Sequence, residues 1–397
     1  MRCRRNGTAR NRARPAELPA RVGRRAGPLR APTLTALSLA VALAVPASGA
    51  LAESPSAEFD RWLARAEQDD PDAQFRIGRY YERGYGRPRH YVLASSFFKK
   101  AAEQGHAEAA YRLGLLYLDG FGVPFKPGSA RDWFGKARAG GFSEAATALG
   151  VMARYGVGEP ADLARAEALF REAADLGSLR GRLGLGLALA EGASVGDRRH
   201  RLGLQQVRIA AGAGLAEARY ELTRRDPAAD ERSLLTEAAN QDFAPAAYRL
   251  GSALMDSGDT ALGRAYLYVA ASDGLADAQH RLGLVHARGE GTRIDHDAAT
   301  YWFGRAALSG HAEAQAVLGM SLARGRGIGR DPVAGAAWCT VAGKRGSAHG
   351  AQAAELISEA LRPGETELVA VEVRRIERAF AERAPGADRY RFSPTLR

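Results

Sequence analysis

The chain has 397 residues, with 56 Lys and Arg against 45 Asp and Glu for a formal net charge of +11, and only two cysteines. Ten of the basic residues and one acid precede residue 53, so the remainder carries 46 against 44. That balance of +2 removes the compositional argument for a nucleic-acid partner, which needs a concentrated basic surface to neutralise phosphates, and Cys3 with Cys339 cannot make a disulfide framework.

Residues 1–33 hold those ten arginines beside Glu17, and the uncharged run Leu34 to Val45 follows. Twelve residues are too few to span a bilayer and suit the hydrophobic region of a secretory signal. Pro46 breaks the run, and Ala50 and Ala52 supply small residues for cleavage before Glu53. A signal peptide over 1–52 with a long basic start is therefore expected, leaving a periplasmic or secreted chain with no membrane span. Neither cysteine directly follows the apolar run, so no lipid anchor is expected.

From residue 57 the pattern is helical. Phe59, Trp62, Leu63 and Ala66 form a single stripe, predicting an N-terminal cap over about 57–70. Thereafter the same unit recurs, and Ala276 to His311 is its clearest copy. Ala278, Leu282 and Val285, then Ala299, Trp302, Phe303 and Ala306, have the spacing of two amphipathic helices. Between them Gly289 and Gly291 suit a reversal through positive φ. One such hairpin cannot bury its faces alone and must stack on copies of itself.

Aligning the units on a glycine in the first helix picks out Gly78, Gly114, Gly150, Gly184, Gly251, Gly283 and Gly319, several about 36 residues apart. The centre, about 202–260, departs from the pattern. Thr223 stands where the glycine is expected, Pro227 follows closely, and the next unit turns on Ser257-Gly258-Asp259 alone, predicting two compact hairpins. Beyond Ser347 the helical pattern continues to Leu361 and breaks at Pro363-Gly364. A capping helix with Val369, Val373, Ile376 and Phe380 is expected over 362–383, and an unstructured tail over 384–397. The predicted architecture is an all-α solenoid over 53–361.

Catalytic chemistry is not visible in the pattern. His106 and His311 end their units and read as turn or packing groups, while His280, His286 and His296 lack metal-ligand spacing. Gly325-Arg326-Gly327-Ile328-Gly329 follows a helix and lacks a terminal Gly-Lys-Ser/Thr, so it reads as a connecting loop and not as a phosphate cradle. No catalytic residue, metal or cofactor is assigned. Cys339 takes the place held elsewhere by Phe98, Phe134 and Phe303, which predicts a buried small hydrophobe.

One charged feature recurs. Arg76, Arg112, Arg182, Arg249 and Arg281 each stand two residues before an aligned glycine. In a stacked array they would form a row able to hold carboxylates or phosphates of a partner. The local alternative is an ion pair four residues back, with Asp72, Glu108 and Asp277 serving Arg76, Arg112 and Arg281. Arg182 and Arg249 have Ser178 and Pro245 there instead, so these two are expected to be left open to a partner.

The Leu-Gly step of the first helix, the Gly-x-Gly loop, an aspartate such as Asp295 or Asp331, the Ala/Trp second helix and the closing Gly-His-Ala together resemble the Sel1-like repeat family, over roughly residues 57–361. The resemblance implies a right-handed, tetratricopeptide-like superhelix acting as a non-enzymatic adaptor for protein complexes on its concave surface. It also implies a place among exported bacterial members tied to envelope regulation or signalling and to polysaccharide secretion, which adds polysaccharide as a ligand class. A cysteine-rich branch of the family suggests the alternative of a hydrolase acting on cell-wall or β-lactam substrates. This sequence lacks that branch's paired cysteines.

Overall fold

The computed structural model describes residues 55–382 except Gly86. The chain divides into residues 1–52 and 53–397, and every described residue belongs to the second unit. The signal-like segment and the tail over 384–397 lie outside the described residues. Among the described residues there are nineteen α-helices and no strand.

A single helix, α1 (Pro55–Ala66), comes first. Eight hairpins follow: α2 (Pro71–Arg83) with α3 (Tyr91–Glu103), α4 (Ala107–Asp119) with α5 (Pro127–Ala139), α6 (Ser143–Tyr155) with α7 (Leu163–Asp175), α8 (Leu179–Ala190) with α9 (Arg198–Gly212), α10 (Ala216–Arg225) with α11 (Glu231–Ala239), α12 (Ala244–Asp256) with α13 (Thr260–Ser272), α14 (Ala276–Arg288) with α15 (His296–Leu308), and α16 (Ala312–Arg324) with α17 (Pro332–Lys344). Two helices, α18 (Ala348–Glu359) and α19 (Glu365–Glu382), close the described chain.

Four of the hairpins are closed by a first-helix glycine that receives a ring of the second helix. A Cβ on Gly78, Gly114, Gly150 or Gly283 would stand 2.5 to 2.7 Å from the ring of Phe98, Phe134, Phe170 or Phe303. Only glycine leaves room for those rings, which are 0 to 2% exposed. Burying each stabilises the hairpin by about 1.5–3 kcal/mol. Cys339 lies in the same relation to Gly319, fully buried, and burial pushes its thiol up to about 12. The reading of Cys339 as a small core residue is correct.

The loops and caps follow from side-chain chemistry. Gly84 and Gly289 end their helices at φ 74° and 71°, a conformation that costs other residues strain. The later glycine of the loop serves stacking on the preceding hairpin, because a Cβ on Gly122 would overlap the main chain of Tyr91, and one on Gly327 that of His296. Asp295 and Asp331 cap the second helix of their hairpins, each accepting a main-chain N–H at 2.9 Å. His106 and His311 do the same for the first helix, with Nδ1 accepting the N–H of Ala109 and Ala314 at 3.1 Å. This is a more definite role than turn or packing.

Successive hairpins meet along a seam. At five of these steps the residue five positions after one first-helix cap touches the cap residue of the next first helix, and the two match in kind. Phe75 stacks on His106 with centroids 4.5 Å apart, Tyr111 meets Phe142 at 5.0 Å, and Tyr220 meets Phe243 at 5.6 Å. Thr147 and Ser178 are joined hydroxyl to hydroxyl at 3.2 Å, and His280 stacks on His311 at 4.4 Å.

In the fourth hairpin the alignment is out by two residues. In the regular hairpins the packing glycine stands eight positions after the helix cap, as Gly114 does after His106 and Gly283 after Leu275. Counting from the Ser178 cap gives Gly186, and it is Gly186 that packs on Val207 of α9, whereas Gly184 faces backwards onto Phe170. The step Leu183-Gly184 misleads because Leu185-Gly186 repeats it immediately.

Hairpins without the phenylalanine pack differently. Val207, Leu267 and Cys339 replace the ring, and in each case the residue four positions earlier is glycine: Gly203, Gly263 or Gly335. Where the ring is present that position is alanine, at Ala94, Ala130, Ala166 and Ala299. A Cβ on Gly203 would come 2.6 Å from the Gly186 carbonyl oxygen, and one on Gly335 2.7 Å from that of Gly319. The lost ring volume is thus recovered by closer approach of the two backbones. The hairpin of α10 and α11 has neither device. Thr223 occupies its glycine position, with Oγ1 donating to the Tyr220 carbonyl at 2.8 Å, and its helices shorten to 10 and 9 residues.

At the C-terminal end Val369, Val373 and Ile376 of α19 are buried against Ala336, Ala337 and Val341 of α17. Phe380 meets Trp338 edge-on at 6.3 Å, and the Arg345 guanidinium lies over its ring at 4.0 Å.

Candidate functional site

The arginine row divides by its partners. Six positions after the first-helix cap stand Arg76, Arg112, Arg249 and Arg281, all therefore at one repeat position. Arg182 stands four positions after its cap and is not in the row. Its Nη2 donates to the Ala174 carbonyl eight residues back at 3.3 Å, as the amides of Gln74, Gln279 and Gln315 do to Ala66, Ala271 and Ala307. Its Nη1 donates to Gln206 at 3.1 Å.

The expectation that Arg182 and Arg249 are left open is corrected by these partners. Arg249 bonds Glu231 at 2.7 Å and Thr223 Oγ1 at 3.0 Å, both reached across the hairpin boundary from α11 and α10. A local count along one helix could not see an acid supplied by a neighbouring element. The local pairs fare little better. Arg112 does face Glu108, at 3.7 Å, but Arg281 goes to Glu290 at 2.7 Å and Asp256 at 3.4 Å. Asp277 and Asp72 turn instead to Nε2 of His311 and His106, each at 3.5 Å.

That last exchange leaves Arg76 without a carboxylate. Its side chain is exposed, and its guanidinium lies 4.4 Å over the Trp62 ring. No hydrogen bond or ion pair engages its N–H groups among the described residues. Trp62 comes from α1, so Arg76 is the member of the row placed beside the terminal helix and not beside another hairpin.

Around it α1, α2, the following loop and the cap of α4 enclose a groove of about 620 Å³, lined by Trp62, Arg65, Asp72, Phe75, Arg76, Arg79, Tyr80, Tyr85 and His106. Arg65 is held by Asp70 and also lies over Trp62, at 4.7 Å. Asp70 is kept below the usual carboxylate range, first by the N–H of Ala73 and then by Arg65. Arg79 is bound by Glu82 at 3.4 Å and Glu108 at 3.3 Å, and burial ahead of its arginine neighbours lowers its affinity for the proton. Burial, reinforced by Glu58, raises the Tyr80 phenol. Tyr85 stands 55% exposed at the rim. The groove can therefore offer one uncommitted guanidinium, a shelf of aromatic surface and the exposed carboxylate of Asp72.

Sequence reasoning named Arg76 but missed Tyr80 and Tyr85 and placed Trp62 only in the cap. No spacing rule marks these residues, because the groove forms only where α1 meets α2. Among the described residues no group of three or more His, Cys, Asp or Glu is placed to hold a metal ion, and no helix is long and apolar enough to cross a membrane.

The family model for the Sel1 repeat matches residues 71–106, 107–142, 143–178, 276–311 and 312–347. Among solved structures, a protective antigen present in uropathogenic Escherichia coli strains and displaying an SLR fold is 25% identical, with a TM-score of 0.55 over 84% of this chain and 73% of its own. A Sel1 repeat protein from Oxalobacter formigenes is 26% identical over 77% of this chain and 94% of its own, with a TM-score of 0.49. No curated protein matches the sequence.

Proposed function

Proceeding from a chain that carries five Sel1 repeats, a fold that generally serves as a non-enzymatic scaffold for protein–protein interaction, we propose that it is an exported adaptor of the bacterial envelope. In this reading the signal-like segment over 1–52 directs it to the periplasm or outside the cell, where it joins proteins in a regulatory, signalling or polysaccharide-secreting assembly. The apolar run from Leu34 to Val45 with its small-residue site supports export, and the protective-antigen role of the Escherichia coli relative is in keeping with it. The observation that carries the binding role is the groove beside α1. The other members of the arginine row are held by acids within the array, whereas Arg76 faces an open aromatic groove with its donors unused.

Two measurements test the reading. Intact mass of the protein recovered from the envelope fraction is expected to correspond to a chain starting at Glu53. Affinity capture from that fraction is expected to retrieve a defined protein in stoichiometric amount, and a chain found only in the cytoplasm, or one that retains no protein, overturns the proposal. Turnover of a chromogenic β-lactam or of peptidoglycan fragments that survives extensive purification would favour the hydrolase alternative.

A further inference from the structure

Building on the adaptor reading, we infer that the groove between α1 and α2 is a docking site for an acidic peptide segment of the partner protein. The segment places one carboxylate on Arg76 and an aromatic or aliphatic side chain against Tyr80 and Tyr85.

The site rests on the state of the Arg76 guanidinium. Arg112, Arg249 and Arg281 have satisfied the same chemical demand with Glu108, Glu231 and Glu290. Arg76 is at the equivalent position and is missing only the anion. It is also steadied in advance, because its guanidinium carbon lies 4.4 Å over the Trp62 ring, a cation–π contact that engages none of its N–H donors. Part of the side-chain freedom is thus already given up before a carboxylate arrives, and a planar fork receives a carboxylate through two parallel hydrogen bonds.

The surroundings select among anions and polymers. A sugar needs bare aromatic faces, and with Trp62 covered by Arg65 and Arg76 at 4.7 and 4.4 Å only Tyr85 at the rim offers an exposed ring in the groove. A phosphate brings a charge of roughly −1.5 to −2 at neutral pH, and Asp72, with its side chain 77% exposed in the same groove, opposes the second charge. A single carboxylate meets less repulsion, and Asp72 can accept a main-chain N–H of the same extended segment. The groove's volume, about 620 Å³, falls within the roughly 300–1,000 Å³ of compact ligand sites, enough for a short stretch of chain and not for a folded face. Tyr85, 55% exposed at the rim, supplies apolar surface that a neighbouring side chain can cover.

The test uses the mature full-length protein and a fluorescein-labelled octapeptide alternating Asp with Phe or Tyr, prepared with a free and with an amidated C-terminus, beside a counterpart with Asn for every Asp. Fluorescence anisotropy at low salt is expected to show the acidic peptide binding at least tenfold more tightly than the Asn peptide. Arg76→Ala should remove that preference, Arg76→Lys should weaken it, and Arg171→Ala, an exposed arginine on α7, should leave it intact. Equal binding by both termini assigns the anion to a side chain, and a preference for the free terminus assigns it to the chain end; either supports the site. A wild type that does not separate acidic from Asn peptide, or an Arg76→Ala variant that binds as the wild type does, overturns the inference. So does displacement of the peptide by inorganic phosphate at concentrations where acetate is inert, which would point to a phosphorylated segment. The adaptor reading fails separately, when envelope capture with the wild type retrieves no protein; if capture retrieves the same protein with Arg76→Ala as with wild type, the scaffold stands and the groove assignment does not.

Discussion

The hairpin of α4 with α5 and that of α8 with α9 solve one packing problem in two ways. In the first, Phe134 fills the space above Gly114 and Ala130 stands four positions before the ring. In the second, Val207 is too small to fill that space, and Gly203 lets the backbones close until a Cβ there would lie 2.6 Å from the Gly186 carbonyl oxygen. The last regular hairpin mixes the two types, matching the Sel1 repeat in sequence while packing through Cys339 and Gly335. Close packing of the two helices, reached by a ring with alanine or by a smaller residue with glycine, is what these hairpins share. Glycine on the second helix is the partner of a small packing residue.

The largest effect that could break this comparison is loss of a ring. Phe134→Ala should cost about 3–5 kcal/mol of stability, because α5 has Ala130 where a closer approach would need glycine. The measurement is chemical denaturation followed by circular dichroism, and a loss below about 1 kcal/mol would mean that the hairpin collapses freely onto the space.

A smaller effect sharpens the rule. Cys339→Phe alone should cost about 1–3 kcal/mol through overpacking against Gly319. Combining it with Gly335→Ala restores the pairing seen at Phe134 and Ala130, so the double variant should be less destabilised than the two singles summed, with a coupling of about 0.5–3 kcal/mol. Strict additivity would show that ring and alanine are independent.

Caps contribute less and should do so alike in both hairpin types. Asp295→Ala and Asp331→Ala each remove an acceptor for a main-chain N–H at 2.9 Å, and each should cost about 1 kcal/mol. A clear difference between them would mean that the compact hairpin leans more heavily on its cap.

The finest distinction lies between two seams. Phe75 on His106 and His280 on His311 are stacked alike, with Asp72 and Asp277 on the respective cap histidines. His280 is lowered to about 4 from 6.5, by burial first and then by His311, against the raising influence of Glu313 and Asp277, with Arg288 lowering it further. A lowered folded value means that the unfolded chain takes up the proton first. The contribution is therefore intact above pH 6.5 and is lost as pH falls through about 4. His280→Phe reproduces the first seam, so the melting temperature of wild type should fall relative to the variant between those limits. Parallel melting curves across that range would remove His280 as the cause.

Much of the fold was legible because the packing glycines, the apolar stripes and the loop glycines recur at a spacing that only a stacked hairpin uses. The Phe98, Phe134 and Phe303 position was found, and Cys339 was assigned to it correctly. The site was legible in one residue only. Arg76 was named as part of a row, but the row contained Arg182 through an alignment slip at Leu183-Gly184-Leu185-Gly186, where two equal steps stand side by side and only the Ser178 cap chooses between them.

What the sequence by itself determined is the repeating hairpin, since periodicity and glycine placement are local properties carried by each unit of about 36 residues. Which charges are spent and which are left over was decided only by the tertiary structure. Glu231 reaches Arg249 from another hairpin, Asp72 turns from Arg76 to His106, and Trp62 holds Arg76 from a helix outside the repeats. The physical reason is range. Helical propensity and amphipathic spacing act within a few residues, whereas a guanidinium on a long side chain pairs with whichever carboxylate the stacking brings within about 4 Å, however far away in the chain it lies.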